Sequence, residues 1–128
     1  MLAILQRQIV MDLSKKIKGI RSNFERWSIP DNVLVSLYSE YNKEVDNNIF
    51  VTKSKNMFPK LNCGLASLYI QKELGEGKIV KGSYMGNPHT FLMLGSEQII
   101  DITADQYGGP KIYIGKIKQP WELPKTAQ

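Results

Sequence analysis

Cysteine and histidine are almost absent from this sequence: it holds one of each. A single cysteine cannot close an internal disulfide, so the chain belongs either in a reducing compartment or in an intermolecular bond. The same count excludes a Cys-rich zinc site, and one histidine argues against a His-based one, so no metal and no cofactor is expected. Long hydrophobic runs are missing too. No stretch reaches the roughly 18 apolar residues of a membrane span, and no membrane insertion is expected. Met1-Leu2-Ala3-Ile4-Leu5 is apolar but is broken by Gln6, Arg7 and Gln8 and has no basic region before it, which is not the pattern of a secretion signal. A soluble, cytoplasmic protein is expected, or a domain delivered into a target cell as part of a larger precursor.

What is present fits a globular chain. Its 128 residues make one domain the natural prior, and that length buries a core without disulfide staples. With 42% hydrophobic and 23% charged residues, wholesale disorder is not expected. Seventeen Lys and Arg against twelve Asp and Glu leave a net charge of +5. The basic residues are scattered, as at Lys15, Lys53, Lys78 and Lys111, and no aromatic-basic motif accompanies them. A solvated basic surface explains them, and nucleic acid is not an expected partner.

Residues 2–20 have helical spacing, with Leu2, Leu5, Ile9, Leu13, Ile17 and Ile20 on one stripe and Gly19 as its expected end. Pro30 and Asp31 start a second helix reaching about Tyr41. The polar segment from Asn42 to Pro59, with a break at Asp46-Asn47-Asn48, reads as a surface loop. Asn62 is the expected N-cap of a third helix, Cys63 to about Leu74, closed by Gly75 and Gly77. Strands are expected at Lys78 to Tyr84, His89 to Leu94, Glu97 to Thr103 and Lys111 to Gly115. The order predicts an α+β domain of N-terminal helices followed by an antiparallel sheet of about four strands. It divides into a helical half and loop (1–59), a helix and sheet that carry the chemistry (60–118), and a tail (119–128) whose Trp121 is a candidate to dock on the body.

The chemistry-bearing residues fall in a suggestive order. Cys63 opens a helix, where unpaired amides and a positive partial charge favour a thiolate and can hold an oxyanion. His89 opens a strand. Asp101 sits between Ile100 and Ile102 on the next strand, where an acid needs a partner. Each has a bland alternative: a packed small cysteine, a structural histidine, and a carboxylate that bonds the turn from Thr103 to Gln106. Together they form a nucleophile, base and orienting acid. That set imposes a condition on register. A two-residue turn joining the His89 and Asp101 strands puts the two residues on opposite faces. A three- or five-residue loop centred on Ser96 pairs Phe91 with Asp101, so that His89 and Asp101 share a face.

This arrangement, from Asn62 to Tyr113, resembles the papain-like thiol enzymes, a group that includes peptidases, transglutaminases, arylamine acetyltransferases and small bacterial papain-fold toxins and deamidases. The resemblance implies a papain-like fold with Cys63 as nucleophile, His89 as base and Asp101 as orienting acid. An aspartate in third place is more like the transglutaminase and deamidating-toxin branches. No glutamine stands shortly before Cys63, which leaves the Cys63 backbone amide for the oxyanion, with Asn62 or Asn56 as side-chain candidates. The implied function is a cysteine-dependent hydrolase or acyl transferase acting on an amide or thioester carbonyl of a protein or peptide. A cognate immunity protein would be its partner if it is a toxin. The alternatives are a non-enzymatic binding, immunity or adaptor protein on an α+β scaffold, and a basic nucleic-acid binder.

Overall fold

The computed structural model describes residues 2–43 and 47–125, with side chains from residue 11 onward. Four helices precede five strands. Helix α1 (Leu2–Glu25) continues past Gly19, because Ile17, Ile20 and Phe24 beyond and before it are all buried on one stripe. Burial of that stripe outweighs the roughly 1 kcal/mol helix cost of one glycine. Leu2, Leu5 and Ile9 of the expected stripe lie outside the described side chains. Helix α2 (Asp31–Tyr41) has the expected bounds.

The segment read as a loop is instead helix α3 (Asn47–Met57), which buries Val51 and Ser54 and stacks Phe50 on Tyr38 at 4.5 Å. Two buried positions among polar neighbours make a helical period too faint to read. Asp46, part of the expected break, lies outside the described residues. Helix α4 (Cys63–Leu74) buries Leu65, Ala66, Leu68 and Ile70, and ends at Gly75 in the left-handed conformation.

The sheet is antiparallel, in the order β4-β3-β2-β1-β5. Its strands are β1 (Lys78–Tyr84), β2 (Asn87–Leu94), β3 (Gln98–Asp101), β4 (Tyr113–Lys116) and β5 (Trp121–Glu122). The supposed tail therefore supplies a fifth strand, paired with β1 through Ser83↔Glu122 and Tyr84↔Trp121. Trp121, from one sheet edge, stacks on Tyr113, from the other, at 4.4 Å. The sheet is thus curled until its edges touch.

One face of the sheet, with Leu92 and Ile100, packs against Ile17, Phe24, Leu65 and Ile70 of the helices. The other lines the inside of the curl with Val80, Tyr84, Phe91, Ile99 and Trp121. Gly82 lies opposite His89 in the β1–β2 ladder. A Cβ there would stand 2.2 Å from the Glu122 carbonyl and 2.9 Å from the Phe91 ring, so only glycine admits β5 this close.

Candidate active site

Register decides whether His89 and Asp101 can meet. Leu94 pairs with Gln98 and Leu92 with Ile100, so the loop is the three residues Gly95, Ser96 and Glu97. Gly95, the first of the three, takes a positive φ of 65°, which glycine adopts without strain. One further step along the ladder sets Phe91 opposite Asp101. His89 and Asp101 then lie diagonally on one face, inside the curl, and His89 Nε2 stands 2.6 Å from Asp101 Oδ2.

Both residues are only 2% exposed, and a buried carboxylate needs every lone pair answered. Trp121 Nε1 donates to the same Oδ2 at 2.8 Å. The Thr103 amide donates to Oδ1 at 2.9 Å and the Thr103 hydroxyl at 3.3 Å. The expected bond to the turn after β3 therefore exists together with the bond to histidine: one carboxylate does both. Asp101 in turn fixes the imidazole, since Nε2 is engaged and Nδ1 is left for the thiol.

Cys63 completes the arrangement. Cys63 is half-buried, and its thiol lies near enough to His89 and Thr90 for both to act on its ionisation. Ser67 Oγ donates to the Cys63 carbonyl at 2.7 Å and lies 3.4 Å from the Thr90 carbonyl, which ties the first turn of α4 to β2. Burial, the largest single influence on the thiol, pushes its pKa up. The His89 and Thr90 bonds and the imidazolium charge outweigh it, and the net shift is downward. Burial likewise disfavours the imidazolium, yet the Asp101 and Cys63 bonds and charges raise it from 6.5 to about 9. Both shifts favour the thiolate–imidazolium pair over the neutral thiol and imidazole.

The surrounding wall is aromatic. Tyr107 meets the His89 ring edge-on at 5.6 Å and donates its hydroxyl to the Pro88 carbonyl at 3.1 Å, while Tyr84 approaches the imidazole at 6.1 Å. Burial and the Cys63 charge push the pKa of the Tyr107 hydroxyl up. Gln106 Nε2 lies 3.4 Å from His89 Nδ1.

Among the residues proposed for an oxyanion, the helix start is open. The first bond of α4 runs from the Ala66 amide to the Asn62 carbonyl, so the Cys63, Gly64 and Leu65 amides precede the helical ladder. Asn62 is not available. Its side chain makes no cap bond, and both amide hydrogens are spent on the Ser54 and Lys60 carbonyls at 3.0 and 2.8 Å, fully buried. Its role is to pin the segment before Cys63 rather than to cap the helix. Asn56 donates to Thr52 within α3 at 3.2 Å and keeps a second hydrogen. It lines a groove of about 390 Å³ with Phe58, Lys60 and Gln106.

Trp121, Gln106 and Tyr107 are the site residues that sequence reading missed. Only Trp121 carried a signal, as an aromatic in a segment otherwise poor in apolar residues. Among the described residues no helix is long and apolar enough to cross a membrane, and no three His, Cys, Asp or Glu side chains cluster as metal ligands would. No protein-family model, curated protein or solved structure matches this chain.

Proposed function

We propose that the protein is a cysteine-dependent hydrolase or acyl transferase of papain-like kind, acting on an amide or thioester carbonyl through an acyl-cysteine. One observation carries the reading. A buried imidazole is clamped through Nε2 by a fully bonded carboxylate and presents its other side to a helix-opening thiol. A structural histidine needs no thiol, and a packed cysteine needs no imidazole.

In this reading the Cys63 thiolate attacks the carbonyl carbon, and the oxygen takes up charge against the amides at the start of α4. His89 gives its Nδ1 proton to the leaving amine or thiol as the carbon–heteroatom bond breaks. Water, or an acceptor amine, then loses a proton to Nδ1 as it attacks the acyl-cysteine, and the sulfur leaves as thiolate. Asp101 holds the imidazole and its charge throughout. The test is intact-mass analysis after incubation with an activated acetyl ester. An acetyl adduct on Cys63, absent in Cys63→Ala and slow in His89→Gln, is expected. A native thiol that accepts no acyl group and resists alkylation until the chain unfolds would leave a binding protein as the better reading.

A further inference from the structure

The segment between β3 and β4 is held far more firmly than a connection requires. Its 3-10 helix, Ala104–Tyr107, begins where the Gln106 amide donates to the Thr103 carbonyl at 3.1 Å. Arg21 of α1, 5% exposed, bonds both Asp105 carboxylate oxygens at 2.8 Å. The same guanidinium reaches the Ile102 carbonyl at 2.7 Å and the Lys111 carbonyl at 3.3 Å, on either side of the helix. One buried cation therefore fixes both ends of this segment, with the bidentate geometry that arginine alone provides. The residue so placed beside His89 is Gln106, 3.4 Å from Nδ1.

Nδ1 is the atom that moves protons in the proposed chemistry, and its needs change during the cycle. In the resting pair the imidazolium has the thiolate as partner. Once sulfur carries an acyl group it is no longer an anion, and the ring loses that partner while it must still receive a proton from water. A carboxamide is both donor and acceptor. Its oxygen can accept from a protonated Nδ1, and the group can hold a water beside a neutral Nδ1, whose one lone pair must stay open for that water's proton.

Building on the acyl-cysteine reading, we propose that Gln106 is a positioning residue for deacylation, held in place by the Arg21–Asp105 pair. It keeps the imidazole aligned while sulfur is acylated and brackets, with Nδ1, the attacking water. The water oxygen bonds to the acyl carbon, its proton passes to Nδ1, the carbon–sulfur bond breaks, and the electron pair returns to sulfur as thiolate.

The probe is p-nitrophenyl acetate, whose nitrophenol burst reports acylation and whose steady rate reports deacylation. Gln106→Met keeps the side chain's length without its hydrogen bonds. It should leave the burst rate within about twofold and slow the steady rate about tenfold or more, the scale of a small loss of alignment. Asp105→Asn, which weakens the clamp without touching His89, should slow the same phase in the same direction. Gln106→Glu sets a carboxylate beside Nδ1 and should move the midpoint of the steady phase to higher pH, which a merely structural residue would not do. An unchanged steady rate in a folded Gln106→Met, or equal slowing of both phases, overturns the proposal. A wild-type protein with no burst and an inert Cys63 overturns the acyl-cysteine reading itself, and this proposal with it.

Discussion

Replacing His89 by glutamine tests whether the imidazole activates Cys63. In the wild type, the imidazole bonds and charge overcome the burial that would otherwise hold the thiol protonated. Without the imidazole, burial is opposed only by the Thr90 backbone, so the thiol pKa should return to its ordinary 9.0 or above. At pH 7 a thiol two units below its pKa is only about 1% thiolate. The loss in alkylation rate is smaller, because a more basic thiolate is more nucleophilic, with a Brønsted slope of about 0.4–0.5. The net drop at pH 7 should therefore be smaller than the drop in thiolate fraction. The clearer readout is shape. The iodoacetamide rate of His89→Gln should climb about tenfold per pH unit from 6 to 8, whereas the wild-type rate should level off at lower pH than the variant's. Asp101 keeps its Trp121 and Thr103 bonds in the variant, so it should stay folded, which thermal melting checks. Superimposable profiles from two folded proteins would refute the assignment of His89 as the group that activates Cys63.

Cys63→Ala removes one sulfur from a half-buried helix start and should cost about 1 kcal/mol or less in denaturant unfolding, while abolishing acyl transfer. Asp101→Ala strips a buried imidazolium of its acceptor and should cost about 3–5 kcal/mol by the same measurement. Turnover should follow a bell-shaped pH profile. It should rise as the thiol ionises below its ordinary 9.0 and fall as His89 loses its proton near 9. Trp121→Phe keeps the stack on Tyr113 but deletes one donor to Asp101 Oδ2. It should cost about 1–2 kcal/mol, and the less satisfied carboxylate should hold the imidazole proton more tightly, moving the alkaline limb upward. Gly82→Ala should displace β5, since its Cβ meets the Glu122 carbonyl. It should reproduce the Trp121→Phe shift with a larger stability loss of about 2 kcal/mol or more, and a normal melting curve would contradict that packing.

Much of the fold was legible because its signals are local. Asp31 after Pro30, Cys63 after Asn62 and Gly75 after Leu74 bound two helices whose ends the structure places there. The pairing of His89 with Asp101 was legible as a condition, because strand periodicity makes loop length decide the face, and the three-residue loop meets it. What was hidden depends on distant parts of the chain. Helix α3 is stabilised by two buried positions and the Phe50–Tyr38 stack, so its own sequence reads as polar. Asn62 looks like a cap by position, but its amide is drawn to carbonyls at Ser54 and Lys60 that no local rule anticipates. The two-residue strand β5 has too few residues to show a period, and it exists only because Gly82 leaves room for it.

The docking of Trp121 on Asp101 also has a consequence for the order in which the molecule matures. A chain made from its N-terminus contains the thiol, the imidazole and the carboxylate well before residue 121 emerges. Until β5 adds to β1, Asp101 Oδ2 lacks the indole donor and the curl is not closed against Tyr113. Completion of the His89–Asp101–Trp121 contacts is thereby linked to synthesis of the chain as far as β5, and a nascent chain interrupted before Trp121 would carry Cys63, His89 and Asp101 without the strand that completes their setting.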